Sequence, residues 1–171
     1  IAKKHNLYVI EDCAQAPGAF YQDKPAGTLG TIGVYSLNFH KHIHTGEGGV
    51  VVTNDDALAD RLRLIRNHAE AVVEDKGVTD LTNMVGLNFR LTELQAAIAR
   101  AQLRKLDKLT SERVENCEYL AEKIKDIPGI QSAKTRPNST HVYYQHAVKF
   151  SEKDFGISRN KFAEALRAEL P

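Results

Sequence analysis

Leu7, Tyr8, Val9 and Ile10 form an apolar run that ends in Glu11 and Asp12 and passes into the small residues Ala14, Ala16, Gly18 and Ala19. A short apolar run bounded in this way predicts a fully buried strand that ends at a functional edge. Before it, Ile1 to Asn6 reads as the tail of a helix. Residues 20–31 hold Pro25, Gly27 and Gly30, which predict turns around short extended pieces. Ile32 to Leu37 is β-prone, the pattern breaks into His and Gly between Asn38 and Gly49, and Val50 to Thr53 resumes as a strand. Asn54 or Asp55 caps a helix to about Asn67, with Leu58, Leu62 and Ile65 on one face. Residues 68–87 keep no sustained period and contain Gly77 and Gly86, the pattern of a long surface loop.

A second long element follows. Thr92-Glu93-Leu94-Gln95 fits a capping box, and an apolar stripe then continues through Ile98, Leu106, Val114 and Ile124 to Pro128-Gly129. A bend is expected near Thr110-Ser111. Extended pieces near Ile130 to Ala133 and His141 to Phe150, and a helix from about Ser158, complete the chain. The order predicts an α/β chain: part of a large domain with a mostly parallel sheet, then a smaller α/β domain reached through the long helix. We place the large-domain part at 1–108 and the small-domain part at 109–171.

Charge and composition narrow the function. The 171 residues carry 23 Lys and Arg against 22 Asp and Glu, a net charge of +1, which argues against a nucleic-acid or lipid-surface binder. With 42% hydrophobic and 26% charged residues the chain is globular in composition. Its apolar stretches, such as Leu7 to Ile10 and Gly48 to Val52, fall far short of the ~20 residues of a bilayer-spanning helix. Cys13 and Cys117 lack a CxxC spacing, which disfavours a disulfide framework or structural zinc and points to the reducing cytoplasm. The start at Ile1 and the helical Lys161 to Leu170 stopping at Pro171 lead us to expect a piece of a longer polypeptide.

Two groups of residues are candidates for chemistry. Asp12, at the end of a buried strand, needs a cation or several donors to offset its desolvation, and Gln15 offers an amide to the same space. A turn-capping role is the alternative for Asp12. Lys41 follows a β-prone run and precedes a Gly-rich turn that lets backbone approach a ligand. An amine held among cationic groups and away from water can attack a carbonyl to form an imine, and Ser36, five residues earlier, has a hydroxyl to give a phosphate. No Gly-Lys-Ser/Thr occurs, and Val51 stands where a dinucleotide fingerprint needs its third glycine. His40, His42 and His44 would share one face of a strand, an alternative metal cluster.

Asp12-Cys13-Ala14-Gln15-Ala16, Ser36 with Lys41, Thr45-Gly46-Glu47-Gly48-Gly49, and Gly86-Leu87-Asn88-Phe89-Arg90-Leu91-Thr92-Glu93-Leu94-Gln95-Ala96-Ala97 together resemble the DegT/StrS-type sugar aminotransferases. These are fold-type I enzymes that use pyridoxal phosphate (PLP). The resemblance implies that Lys41 is the Schiff-base lysine, that Asp12 pairs with the pyridine nitrogen and that Gln15 lies near the ring oxygen. It gives Ser36 to the phosphate and has Asn88 reach the phosphate of a neighbouring subunit, which implies a homodimer. Arg90 and His68 also match family positions, and Ala69 stands where the family often has Gly. Glutamate is the implied amino donor and a nucleotide-linked keto-sugar the acceptor. A small branch with His in place of the lysine acts as a dehydratase, so Lys41 sorts this chain with the aminotransferases.

The family's N-terminal portion adds phosphate contacts and a stacking aromatic ring, so residues 1–171 alone are expected to bind PLP poorly. Two alternatives stand beside this reading: an inert or purely binding domain, and the histidine-cluster metalloprotein.

Overall fold

The computed structural model describes residues 1–69 and 84–170, so most of the expected loop at 68–87, with Gly77, lies outside the described residues. A single helical turn, α1 (Ala2–His5), stops at Asn6, whose left-handed backbone has φ 52°. β1 (Ile10–Asp12) runs parallel to β4 (Ile32–Ser36), with Ile10 opposite Ile32 and Asp12 opposite Val34. β5 (Gly49–Val52) lies antiparallel on the other side of β4, with Ser36 opposite Gly49. The expected mostly parallel sheet is thus, in these three strands, one parallel and one antiparallel pairing. The reason is local: residues 37–48 form a turn with no crossover helix, and a chain that returns without a crossover can only pair antiparallel.

The connection from β1 to β4 carries a small hairpin, β2 (Phe20–Tyr21) with β3 (Lys24–Pro25). Its two central residues, Gln22 and Asp23, both have positive φ, 48° and 60°. The Glu11 carboxylate ties this connection to β1 by accepting from the amides of Gly27 at 2.8 Å, Leu29 at 2.7 Å and Gly30 at 2.5 Å. Gly33 of β4 passes so close to Gly27 that a Cβ there would stand 2.3 Å from the Gly27 carbonyl oxygen.

The expectation of a fully buried strand at Leu7 to Ile10 is not met. Pairing begins only at Ile10, and Tyr8 and Ile10 are 80% and 68% exposed. Val9 spends its carbonyl on the Thr31 and Ile32 amides and its amide on the Thr31 hydroxyl, and among the described strands β1 pairs with β4 alone.

Asp55 caps α2 (Asp56–Arg66) by accepting from the Leu58 amide. Leu64 is the buried residue of that helix, and Leu58, Leu62 and Ile65 are half-buried. Thr92 and Gln95 form the expected capping box of α3 (Glu93–Leu103). The long helix breaks at Arg104-Lys105, earlier than the expected Thr110-Ser111, and resumes as α4 (Leu106–Ile124). At the break the Lys105 amide bonds back to Gln102, a tighter spacing that turns Leu103 and Leu106 toward one pocket with Pro17 and Gly18. The 108/109 boundary falls within α4.

β6 (Ile130–Ser132) and β7 (Val148–Phe150) pair antiparallel, followed by α5 (Glu152–Phe155) and α6 (Arg159–Glu169), the latter capped by Ser158. Phe150, Phe155 and Phe162 pack as a ring trio with centroids 4.7 to 5.2 Å apart. The extended piece expected at 141–150 is a strand only from Val148. Upstream of it the Val142 carbonyl is engaged by His42, the Tyr143 carbonyl by Arg113, and Tyr143 has φ 47°, so the backbone there turns instead of pairing.

Candidate active site

β1 and β4 end side by side, and ligands of parallel α/β sheets bind beyond such carboxyl ends. Asp12 is opposite Val34, so Asp12 and Ser36, two residues further along β4, share one face of the sheet. Asp12 is exposed, and its Oδ1 accepts from the Ala14 amide at 3.1 Å, so it both turns the chain and presents a carboxylate to solvent. Cys13, beside it, is buried, and burial together with the Glu11 and Asp12 charges pushes its thiol pKa up, away from reactivity.

After Ser36 the chain makes a closed loop. The Leu37 amide donates to the Gly48 carbonyl, the Thr45 amide returns to the Leu37 carbonyl, and the Asn38 amide nitrogen Nδ2 donates to Glu47 Oε1 at 2.8 Å. Gln95 of α3 fastens the loop by donating from Nε2 to the Glu47 carbonyl at 2.9 Å. Gly48 has φ 153°, and a Cβ there would meet Thr45 Oγ1 at 2.9 Å and Leu91 at 3.2 Å, so only glycine closes this loop without displacement.

Lys41 stands within this loop, half-buried, its amide bonded to the Asn38 carbonyl. No ion pair to a carboxylate is found for its ammonium among the described residues. Its Nζ instead lies 4.4 Å from the centroid of the Tyr144 ring. Tyr144 lines a pocket of about 370 Å³ together with Gln15, Ala19, Thr140 and Gln145. Ser36 lines a second, more apolar pocket of about 330 Å³ between the sheet and α3, and its Oγ accepts from the Asn38 amide.

The structure therefore brings Asp12 and Ser36 onto one face, and Gln15 and Lys41 together through Tyr144. Asn88 lies apart from both pockets, on an exposed segment that bridges to Asn67. Arg90 Nη1 donates to Asn67 Oδ1 at 2.8 Å, and the His68 amide donates to the Leu87 carbonyl, so Arg90 and His68 join this segment to the end of α2. Ala69, where the resembled family often has glycine, takes the left-handed backbone with φ 57°.

The three alternating histidines do not share a strand face, because residues 38–48 are not a strand. His40 stacks on Phe39, whereas His42 is buried with Nε2 2.8 Å from the Val142 carbonyl oxygen. Among the described residues no group of three or more His, Cys, Asp or Glu is arranged to hold a metal ion. Sequence reasoning missed Tyr144 and the loop-closing bonds of Asn38 and Gln95. Asn38 and Gln95 lay inside motifs already singled out, but Tyr144 is remote in sequence and carried no local signal.

Residues 1–170 match the profile of the DegT/DnrJ/EryC1/StrS aminotransferase family. The chain is 35% identical over 178 residues to the L-glutamine:2-deoxy-scyllo-inosose aminotransferase of Micromonospora echinospora, a match covering 99% of this chain and 42% of that protein. It is 36% identical over 156 residues to the GDP-perosamine synthase of Caulobacter vibrioides, covering 89% of this chain and 40% of that one. Its fold superposes on the E. coli GDP-4-keto-6-deoxy-D-mannose-3-dehydratase, solved with bound hydrated PLP, with TM-score 0.82 and 28% identity over 98% of this chain and 46% of that one. The chain thus spans about two-fifths of the length of the curated relatives it matches.

Proposed function

Because the chain belongs to the DegT/DnrJ/EryC1/StrS aminotransferase family, we propose that its protein is a PLP-dependent aminotransferase that moves an amino group from glutamate to a nucleotide-linked keto-sugar, for amino-sugar or surface-polysaccharide synthesis. The observation that carries this reading is the Lys41 amine, without a carboxylate partner among the described residues, on a closed loop that follows the strand ends bearing Asp12 and Ser36. The donor set suits the cofactor: an exposed carboxylate for a ring nitrogen, a hydroxyl for a phosphate, an amide for a ring oxygen, and an amine for a carbonyl carbon. When bound, PLP supplies an aldehyde that carries the amino group and a protonated ring that withdraws electrons from the reacting carbon.

The residues then divide the work. Asp12, as an anion, holds the proton on the ring nitrogen and keeps the ring electron-poor. Ser36 would donate its hydroxyl to the phosphate, and Gln15 would offer its amide to the ring oxygen. Lys41 would hold the cofactor through its amine at the aldehyde carbon and, as a free amine, would remove and return the proton at the reacting carbon. Asn88, exposed and away from its own pockets, completes the phosphate site of a second copy in a cytoplasmic homodimer. The relative named GDP-perosamine synthase supports a nucleotide-linked acceptor, and the one named L-glutamine:2-deoxy-scyllo-inosose aminotransferase supports amino transfer, though to an acceptor named without a nucleotide and from glutamine. Lys41, where the dehydratase branch carries His, favours amino transfer over dehydration.

Borohydride reduction of the full-length protein with PLP, followed by peptide mapping, tests the reading. The pyridoxyl label is expected on Lys41, and glutamate with a GDP-linked keto-sugar should give the amino sugar. A label on Lys24 or another lysine overturns the assignment. Sedimentation of the active protein as a monomer would remove the role given to Asn88.

A further inference from the structure

Residues 138–147, between β6 and β7, return to the amino-terminal half of the chain. The Phe20 amide donates to Thr140 Oγ1 at 2.7 Å, the Thr140 amide to the Phe20 carbonyl at 2.9 Å, and the Gln22 amide to the Asn138 carbonyl at 2.8 Å. Past this seam the arm bends through Tyr143, a buried aromatic residue with φ 47°, a backbone conformation rare for a bulky side chain. The bend is held from three sides: the Tyr143 amide donates to His141 Nδ1 at 2.9 Å, Arg113 Nη1 donates to the Tyr143 carbonyl at 3.3 Å, and the His141 and Tyr143 rings lie 4.2 Å apart. The consequence is that the next ring, Tyr144, points at Lys41, with Nζ 4.4 Å from its centroid.

His42, the residue after Lys41, bonds the same arm. Its buried Nε2 is 2.8 Å from the Val142 carbonyl oxygen, and because a carbonyl only accepts, the ring nitrogen there carries a proton. Burial lowers the His42 pKa, the Val142 bond opposes this, and the Arg113 and Lys41 charges add to the lowering, while its Nδ1 is buried with no hydrogen-bond partner among the described residues. The Tyr144 ring is 6.0 Å from the His42 ring and touches the Lys41 side as well. Two consecutive residues of the loop therefore hold two residues of the arm.

We propose that Tyr144 is a positioning residue for Lys41: its ring holds the lysine amine at the edge of the Gln15 pocket, and the bond from His42 to Val142 clamps the arm that carries the ring. This rests on the reading of Lys41 as the reactive amine. The attraction between an aromatic face and an amine exists only for the charged ammonium. In the cofactor-free protein the ring thus fixes the side chain in one place and loses its hold once the proton leaves, which frees the neutral amine for the pocket. Among the described residues no carboxylate pairs with the Lys41 ammonium, so the ring holds it without a protein anion that an incoming carboxylate would have to displace.

The test is the rate at which trinitrobenzenesulfonate, which reacts with neutral exposed amines, modifies Lys41 in the cofactor-free full-length protein, measured by mass spectrometry against the exposed Lys134. Tyr144→Leu is expected to raise the Lys41 rate about 2- to 5-fold, the worth of an exposed cation–π contact. Tyr144→Phe, which keeps the ring, should match the wild type. His42→Leu, which removes the clamp, should raise the rate as well. If Tyr144→Leu does not fold, Tyr144→Met carries the same expectation. Wild-type rates in the Leu and Met variants overturn the proposal, as does an equal rise in Tyr144→Phe. A Tyr144→Leu effect as large at Lys24, on the hairpin the arm also seams, would reduce Tyr144 to a structural residue and overturn it too. Failure of the borohydride label to reach wild-type Lys41 would defeat the functional reading while leaving these rates interpretable, so the two failures are distinct.

Discussion

Glu11 gives the sharpest stability prediction, because one carboxylate serves three amides of the connection between β1 and β4. Gly27 and Gly30 donate from part-buried positions at 2.8 and 2.5 Å, and Leu29 donates from an exposed one at 2.7 Å. Glu11→Ala leaves all three unpaired; water recovers Leu29, while the two part-buried amides lose about 1 to 1.5 kcal/mol each, a total of about 2 to 3 kcal/mol. With a urea slope of about 2 kcal/mol/M, the denaturation midpoint should fall by about 1 to 1.5 M. Glu11→Gln keeps one acceptor oxygen and should lose about half as much. The pH dependence has a definite sign. Burial pushes the Glu11 carboxyl up, but the bonds from Gly30, Gly27 and Leu29 together outweigh it and hold the group below the usual glutamate value. A depressed carboxylate contributes fully above its unfolded pKa, about 4.3, and its contribution is lost as pH falls through the lower folded value. The midpoint difference between wild type and Glu11→Ala should therefore be full at pH 7 and shrink below about pH 4.3. An unchanged midpoint, or a difference that grows in acid, would refute the reasoning.

Gly33→Ala should cost about 3 kcal/mol or more, since the new methyl meets backbone of Gly27 at 2.3 Å and neither chain can step aside; a wild-type thermal midpoint would count against the observed crossing. The double change Gln22→Asn with Asp23→Gly places residues suited to positive φ at both centres of the hairpin and should add about 1 kcal/mol, or about 2 to 4 °C in Tm, by calorimetry. Asp12→Asn keeps the shape and the turn bond to Ala14 but removes the anion, so PLP should still bind while proton abstraction in single-turnover kinetics slows by orders of magnitude; an unchanged rate returns Asp12 to the turn role alone.

Local chemistry made much of the fold legible in the sequence. The caps at Asp55, Thr92 and Ser158 stand where the side chains indicated, because a cap depends on a few adjacent residues. The stripe after Thr92 gave the helix but not its break, since Leu103 and Leu106 are turned by a pocket formed with Pro17 and Gly18, far away in sequence. Leu7 to Ile10 read as buried because an apolar run reports a preference for burial without naming what provides it; β1 pairs on one edge, with β4. At the candidate site, Asp12, Gln15, Ser36 and Lys41 are proposed from their order in the sequence, whereas Tyr144 has no such local signal, since its place depends on the bend at Tyr143 and on bonds from His42 and Arg113.

The same contrast separates rigid from adjustable parts of the site. Asp12 and Ser36 are fixed by ladder pairing, one opposite Val34 and the other opposite Gly49, so their spacing follows from strand register. Lys41 has no such register; it sits on a loop closed by Asn38, Glu47 and Gln95, and its long stem has many rotamers of similar energy. The role proposed for Lys41, to hold a ligand, leave it and then move a proton, needs that freedom and also confinement to one approach. Closing the loop through backbone and Glu47 confines the stem's base, and in the proposed arrangement the ring of Tyr144 confines its end, so the amine would keep its reach while the strands fix the spacing of Asp12 and Ser36.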